Sequence, residues 1–253
     1  MRPCQYAGRY YFPDGGRLRA ALASYIEDAS IPRLTGKLIG LIAPHSQLSE
    51  FGPVAGWAYQ ALVTAPLTWD QTLMLAPTAH ALDTLVCDPS DAYDTPLDPL
   101  GIDRAALEDV RQAGLTVADD PDDEPVIECH APFVQAALGN VSVLPIRVPE
   151  RASVAYYAPL ARQTRIGMVI ACANLPGGHE HGACEAITQL DPAFFDGDPA
   201  AQKRGVFRRM VKPARSPDTT TLALALTLAK ARGAAQGQVL KRAGVFAAIA
   251  LTR

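Results

Sequence analysis

Short apolar runs that stop at a proline or glycine, with helical patterns between them, limit what this chain can fold into. Leu38–Ala43 stops at Pro44, and Gln71–Ala76 stops at Pro77. Ser142–Val148 and Ile166–Cys172 repeat the design, and Val245–Leu251 is a fifth, Ala-rich run. Runs of this length and boundary predict buried strands. Between them, Gly16–Asp28 places Leu18, Leu22, Tyr25 and Ile26 on one helical face. Val54–Leu62 follows Pro53, which suits a first turn. Asp103–Ala113 opens on a capping acid and stops at Gly114, and Pro132–Leu138 is a short helix. Thr219–Arg232 fits either state. Leu222, Leu224, Leu226 and Leu228 alternate as in a strand, whereas its alanines, its length, Asp218 as a cap and Gly233 as a stop favour a helix.

Strands alternating with helices predict an α/β fold, a mixed central sheet flanked by helices. No Gly/Ser/Pro linker divides the chain, so residues 1–253 read as one domain. Charged residues are 19% and hydrophobic residues 49%, a globular balance that excludes wholesale disorder. The net charge of −3 gives no reason to expect nucleic acid or an anionic membrane as a general partner. No apolar leader or spanning run is visible, and the five cysteines form no CxxC pair. The expectation is a cytoplasmic protein with free thiols. Two charge blocks, Asp119–Glu124 and Lys203–Arg215, read as solvated faces. If Arg208 and Arg209 line a cleft, its ligand is an anion. No dinucleotide fingerprint and no Gly-x-Ser-x-Gly elbow is present.

Two of the strands run into histidine, as Ala43-Pro44-His45 and as Ala76-Pro77-Thr78-Ala79-His80. Ligands of open α/β sheets bind beyond the carboxyl ends of the strands. Two imidazoles delivered there suit a metal, and equally suit ordinary loop hydrogen bonds. His130 sits in a helix and reads as a packing residue, and Cys172, closing an apolar run, as a buried thiol.

Several stretches in order carry a family resemblance. They are Ala7-Gly8-Arg9-Tyr10-Tyr11-Phe12-Pro13, Ile42-Ala43-Pro44-His45 with Gly52-Pro53-Val54-Ala55 and Ala58-Tyr59, and Leu75-Ala76-Pro77-Thr78. Further on come Tyr93-Asp94-Thr95-Pro96-Leu97, Glu124–Phe133 and Gln189-Leu190-Asp191-Pro192. Together the chain resembles the Memo family (the protein B type of the AmmeMemoRadiSam system), relatives of the class III extradiol dioxygenases. The resemblance implies one α/β domain with a strand-end cleft. In the dioxygenase relatives that cleft holds non-haem iron. It also implies the company of a radical SAM enzyme and a small companion protein.

The departures fall on the family's metal and acid–base positions. His45 keeps the first ligand position, but the next falls on Ala79, with His80 one residue late. The Glu-His step becomes Glu124-Pro125. Asn174 stands where the family has an acid and Gly177 where it has a histidine, and the late Cys-Gly motif has no cysteine near it. Ala, Pro and Gly side chains offer no lone pair, and Asn is no base near neutral pH. About three protein ligands are needed even in an open metal site. The first reading is therefore a degenerate Memo-like protein whose cleft binds a small molecule or a protein partner, without a cofactor. The alternative is a non-haem iron or other divalent-metal oxidoreductase with a relocated site. His179-Glu180-His181 lies two residues beyond the lost histidine position. In an extended segment His179 and His181 would point the same way and could join His45 or His80 with Glu180.

Overall fold

The computed structural model describes residues 1–65, 71–119, 124–139, 141–163, 166–195 and 212–253. Helix α1 (Gly15–Glu27) leads to β1 (Leu38–Ala43), α2 (Leu48–Thr64) and β2 (Thr72–Thr78). Short strands β3 (Leu85–Cys87), β4 (Ala92–Tyr93) and β5 (Leu100–Ile102) precede α3 (Arg104–Gln112) and β6 (Val117–Asp119). Then come α4 (Pro125–Leu138), β7 (Ser142–Pro149), α5 (Val154–Tyr157), β8 (Met168–Cys172) and α6 (Glu180–Thr188). Helix α7 (Pro217–Ala231) and the hairpin β9 (Gln236–Ala243) and β10 (Phe246–Thr252) complete it.

Among the described residues the sheet is mixed and ten-stranded, in the order β4-β5-β7-β2-β8-β1-β10-β9, with β3 pairing β7 and β6 pairing β3. Its middle, β7-β2-β8-β1, is parallel, and β10 and β9 add antiparallel strands at one side. Helices α2 and α4 pack on the sheet, with α1 against those two helices, and α7 packs against β7, β2, β8 and β1. Every residue of β1, β2 and β8 is buried, which is why those strands read as unbroken apolar runs.

The expected strands are all present. Strand β2 runs through Pro77 to Thr78 instead of stopping before it, because its parallel partner β7 continues alongside, with Pro77 opposite Val148. Helix α2 starts six residues before the expected Val54, so Pro53 lies inside it. Likewise α4 begins at Pro125, with Pro132 in its interior. In α1, Asp14 accepts the Arg17 N–H at 2.8 Å, and Leu18, Leu22 and Ile26 are buried. Helix α7 resolves its ambiguity through burial on all sides. Thr219 to Leu226 are all buried beneath the second face of the sheet, so a strand-like alternation of leucines carries no outward face. The polar segment of β9 and the two- to three-residue strands β3–β6 carry no period-2 signal in the sequence.

Two features explain family motifs by packing. A Cβ at Gly56 would stand 2.0 Å from the Tyr25 carbonyl oxygen, and one at Gly52 would stand 2.6 Å from its ring. Helices α1 and α2 therefore touch backbone to backbone there. Glu128, on α4, is fully buried and gathers the start of the chain. Its carboxylate accepts the N–H groups of Gln5 (2.9 Å) and Tyr6 (2.8 Å), the Tyr11 hydroxyl (2.6 Å) and Arg2 Nη2 (3.3 Å). Burial and the neighbouring carboxylate keep the Tyr11 hydroxyl protonated well above the usual phenol range, so it stays a donor.

Candidate functional site

The parallel strands β1 and β8 end level with each other, Ala43 opposite Cys172, and the Ala173 N–H continues the pairing onto the Ala43 carbonyl. Two residues beyond each strand stand His45 and Asn174. The Asn174 side chain brackets the His45 backbone, its Oδ1 accepting the N–H at 3.0 Å and its Nδ2 donating to the C=O at 2.9 Å. A side-chain amide thus mimics one more rung of the sheet. An acid at this position could accept from the N–H but could not donate to the carbonyl.

Asp218 completes the group. The expected role of Asp218 as the helix cap falls instead to Ser216, whose side chain accepts the Thr219 N–H while Thr219 reaches back to the Ser216 N–H. That frees the Asp218 carboxylate, in the first turn of α7, to turn toward the strand ends. Its Oδ1 accepts from the Asn174 backbone N–H at 2.8 Å and lies 3.0 Å from His45 Nε2. The two side chains remain 19% and 29% exposed, so the pair faces solvent. The positive end of α7 favours the carboxylate's charge.

Behind this pair lies a dry aromatic layer. His130 is fully buried, with its Nδ1 2.8 Å from the Tyr59 hydroxyl and its ring against Phe51 and Phe133. Burial pushes His130 down to about 3, repulsion from His45 adds to this, and the Pro44 carbonyl acts in the opposite sense. His130 is therefore a neutral packing residue, as its place in the sequence suggested. Tyr59 is raised well above the phenol range, by burial first. Cys129 and Cys172 are buried thiols that desolvation holds protonated, and Cys87 is pushed up to about 12 for the same reason.

The other expected site residues lie apart from this group. Ala79 offers only its backbone N–H, which donates to Glu124 Oε1 at 3.2 Å. His80 follows β2, half-buried, its N–H donating to Thr78 Oγ1 at 3.3 Å. Pro125 opens α4 as its first helical residue, where a missing N–H costs nothing. Gly177 and Gly178 form a turn, with Gly178 at φ +76°. The segment after them corrects an expectation: it is helical, not extended. His179 precedes α6, Glu180 and His181 lie in its first turn, and His181 is exposed. His181 follows the helix while His179 stands outside it, so the two are not neighbours on one face of an extended segment. Glu180 accepts the Gly178 N–H at 3.0 Å, and these backbone contacts hold its carboxyl below the usual range.

Among the described residues, no three His, Cys, Asp or Glu side chains come together as a group able to hold a metal ion. His45 and Asp218 face each other as a pair, and Ala79, Pro125 and Gly177 carry no side-chain donor. Within the basic block, Lys203, Arg204, Arg208 and Arg209 lie outside the described residues. Lys212 donates to the Ala193 carbonyl, and Arg215 donates to that of Ala152 at 2.9 Å. Asp218 is the site residue that sequence reasoning missed. Ser216-Pro217-Asp218 reads as a helix start, but nothing local says that the third residue meets His45.

Fold and site together define an α/β protein with a solvent-facing His–Asp pair at the carboxyl ends of its parallel strands. The Memo-like protein family matches residues 2–161, well over half of the chain, and the chain belongs to that family. A MEMO1 family protein of Pyrobaculum aerophilum is 32% identical over 120 residues, 46% of this chain and 42% of the relative. One from Methanothermobacter thermautotrophicus is 28% identical over 150 residues, 55% of this chain and 54% of the relative. The chain thus spans about half the length of the curated relatives it matches. The solved structure of uncharacterized protein JW3007 from Escherichia coli K12 covers 85% of this chain and 99% of its own, at a TM-score of 0.49 and 11% identity. Asn174, Gly177 and Asp218 lie beyond the family match. No helix among the described residues is long and apolar enough to cross a membrane.

Proposed function

We propose that this protein is a degenerate Memo-like protein that uses its strand-end cleft to bind a small molecule or a protein partner without the family's metal. The observation that carries this is the state of His45. Its Nε2 is engaged by Asp218, its backbone is bracketed by Asn174, and Ala79, Pro125 and Gly177 offer no side-chain donor nearby. Protein groups hold His45 in place, and the two partly exposed polar side chains of the pair are available to meet a ligand.

The relocated-metal reading needs His45 or His80 to meet His179, Glu180 and His181. The placement of Glu180 and His181 in the first turn of α6, with His179 outside it, weighs against it. The test combines metal analysis with ligand capture. Protein purified without oxygen, before and after Fe(II) loading, is compared with a His45→Ala variant by elemental analysis and by native mass spectrometry after incubation with a cell extract. A small molecule or protein retained by the wild type and lost in His45→Ala supports the proposal. Near-stoichiometric metal that disappears in His45→Ala would replace it with the metal-dependent reading. Equal capture by both proteins would remove the cleft from the function.

A further inference from the structure

Helix α2 begins at Leu48, shortly after His45, and runs for 17 residues, roughly 25 Å at helical rise. At its far end, a cavity of about 610 Å³ opens between Thr64 and Ala65 and the segment 31–38 that leads into β1. That volume lies within the range of small-molecule sites, ~300–1,000 Å³. Among the described residues, Ile31, Leu34, Leu38 and Ala65 give it apolar walls, Arg33 and Lys37 add two cations, and no Asp or Glu lines it.

The wall that carries the two cations is fixed from behind by the β9–β10 hairpin. The Lys37 N–H donates to the Arg253 carbonyl at 2.9 Å, and the Arg253 N–H returns a bond at 3.0 Å. Gly36 between them lies at φ +127°, and a Cβ there would stand 2.4 Å from the Arg253 carbonyl oxygen. Gln238 on β9 donates to the Arg33 carbonyl at 3.3 Å and accepts the Thr35 N–H at 3.4 Å, and Gln236 donates to Thr35 Oγ1. These bonds use the backbone and leave both charged side chains free. Arg33 and Lys37 are exposed, and neither side chain has an ion-pair partner among the described residues. A wall held by its own protein needs little ordering when a ligand arrives.

We propose that this cavity binds a small molecule with an apolar body and one anionic head group, a medium-chain carboxylate by class. The body lies against Ile31, Leu34 and Leu38, and the head meets Arg33 and Lys37. Apolar walls supply the affinity, and the cations select the sign of the charge. The carboxyl end of α2 brings only the partial negative charge of a helix terminus against two full positive charges. This site and the strand ends are separate, and neither proposal depends on the other.

Methyl NMR of the full chain tests it with decanoate and decylammonium, probes of one chain length and opposite charge. Decanoate should move the Ile31, Leu34 and Leu38 methyl signals and bind about tenfold more tightly than decylammonium, the worth of two exposed charge contacts. Arg33→Glu combined with Lys37→Glu should reverse that order, which a folding defect would not do. Arg9→Glu should leave it unchanged, because Arg9 stands at the opposite end of α2, where the Leu48 N–H meets the Tyr10 carbonyl. Equal binding of the two probes overturns the anionic class, and so does a preference lost equally in Arg9→Glu. No movement of these methyl signals with either probe overturns the site. Flotation with phosphatidylglycerol-containing vesicles separates the sources of such a molecule. Protein that stays off the vesicles takes its ligand from water, as proposed. Flotation that the double variant abolishes would make a membrane lipid the source and overturn the free ligand. Each of these outcomes leaves the proposal for His45 and Asp218 untouched.

Discussion

Two carboxylates in this molecule each organise a family landmark, and they do so under different conditions. Glu128 is fully buried and takes hydrogen bonds from a guanidinium, a phenol and two backbone N–H groups. Asp218 is 29% exposed and serves one backbone N–H and one imidazole through a single oxygen. The first is a structural clamp whose every bond is made inside the protein, in surroundings that magnify the cost of a missing partner. The second sits where water can replace any bond that is lost, so its value lies in orienting His45 more than in stability. Glu128, Gly52, Gly56 and Tyr59 are buried in the frame, whereas Ala79, Asn174 and Gly177 stand beyond the strand ends, partly or fully open to solvent.

The sharpest way to break this contrast is at the clamp. Glu128→Ala should cost about 3–5 kcal/mol of unfolding free energy, because it leaves Arg2 buried without its carboxylate and strands the N–H groups of Gln5 and Tyr6. Urea unfolding measures it, and a loss below ~1 kcal/mol would mean that the N-terminal segment is not anchored there. Next in size is the helix contact. Gly56→Ala places a Cβ 2.0 Å from the Tyr25 carbonyl oxygen, so α1 and α2 must part, at about 1–3 kcal/mol. Gly177→Ala, with nothing within 4 Å and no positive φ, should change stability by no more than ~0.5 kcal/mol. Equal effects at the two glycines would erase the distinction between the frame and the strand ends.

The buried layer behind His45 gives a pH signature. His130 titrates near 6.5 when unfolded and is lowered to about 3 in the native protein. Between those values the unfolded chain binds a proton that the folded one does not. Stability is therefore full above pH 6.5 and falls as the pH drops toward 3. The loss attributable to His130 is about 2 kcal/mol between pH 6.5 and 5. His130→Gln, whose side chain does not titrate, should flatten that part of the profile. A wild-type profile with the same slope as the variant's would remove His130 as its source.

The sequence made the middle of the fold readable because burial there leaves a simple record. Leu38–Ala43 and Met168–Cys172 are apolar throughout, since both faces of the central sheet are covered. The N-cap role of Asp103 was equally plain, and its side chain accepts the Ala106 N–H at 2.9 Å. What could not be read was any pairing distant along the chain. Asn174 and His45 are 129 positions apart, and His45 and Asp218 are 173. At position 174 the sequence shows the residue type and not the two His45 backbone groups that its amide satisfies. The Gly177-Gly178 pair obscures the helix that starts at Glu180, one residue beyond it.

The smallest stability effects are expected in the cleft, and they decide whether the comparison holds. Asn174→Ala removes two side-chain hydrogen bonds to the His45 backbone, both partly open to water, and should cost about 1 kcal/mol. Asp218→Asn should cost still less, within ~1 kcal/mol, because the pair is partly exposed and the amide oxygen can still accept from the Asn174 N–H. Its effect on function should run the other way. An amide can present either an oxygen or an N–H to His45, so the single polarity that the carboxylate imposes on the imidazole disappears. The expected outcome is a protein with nearly wild-type urea unfolding and weakened capture of whatever the cleft retains. Gly56→Ala should show the reverse pattern, with lowered stability and unchanged affinity among the folded molecules. If Asp218→Asn instead unfolded the protein as readily as Glu128→Ala, the two carboxylates would have the same role, and the strand ends would belong to the frame.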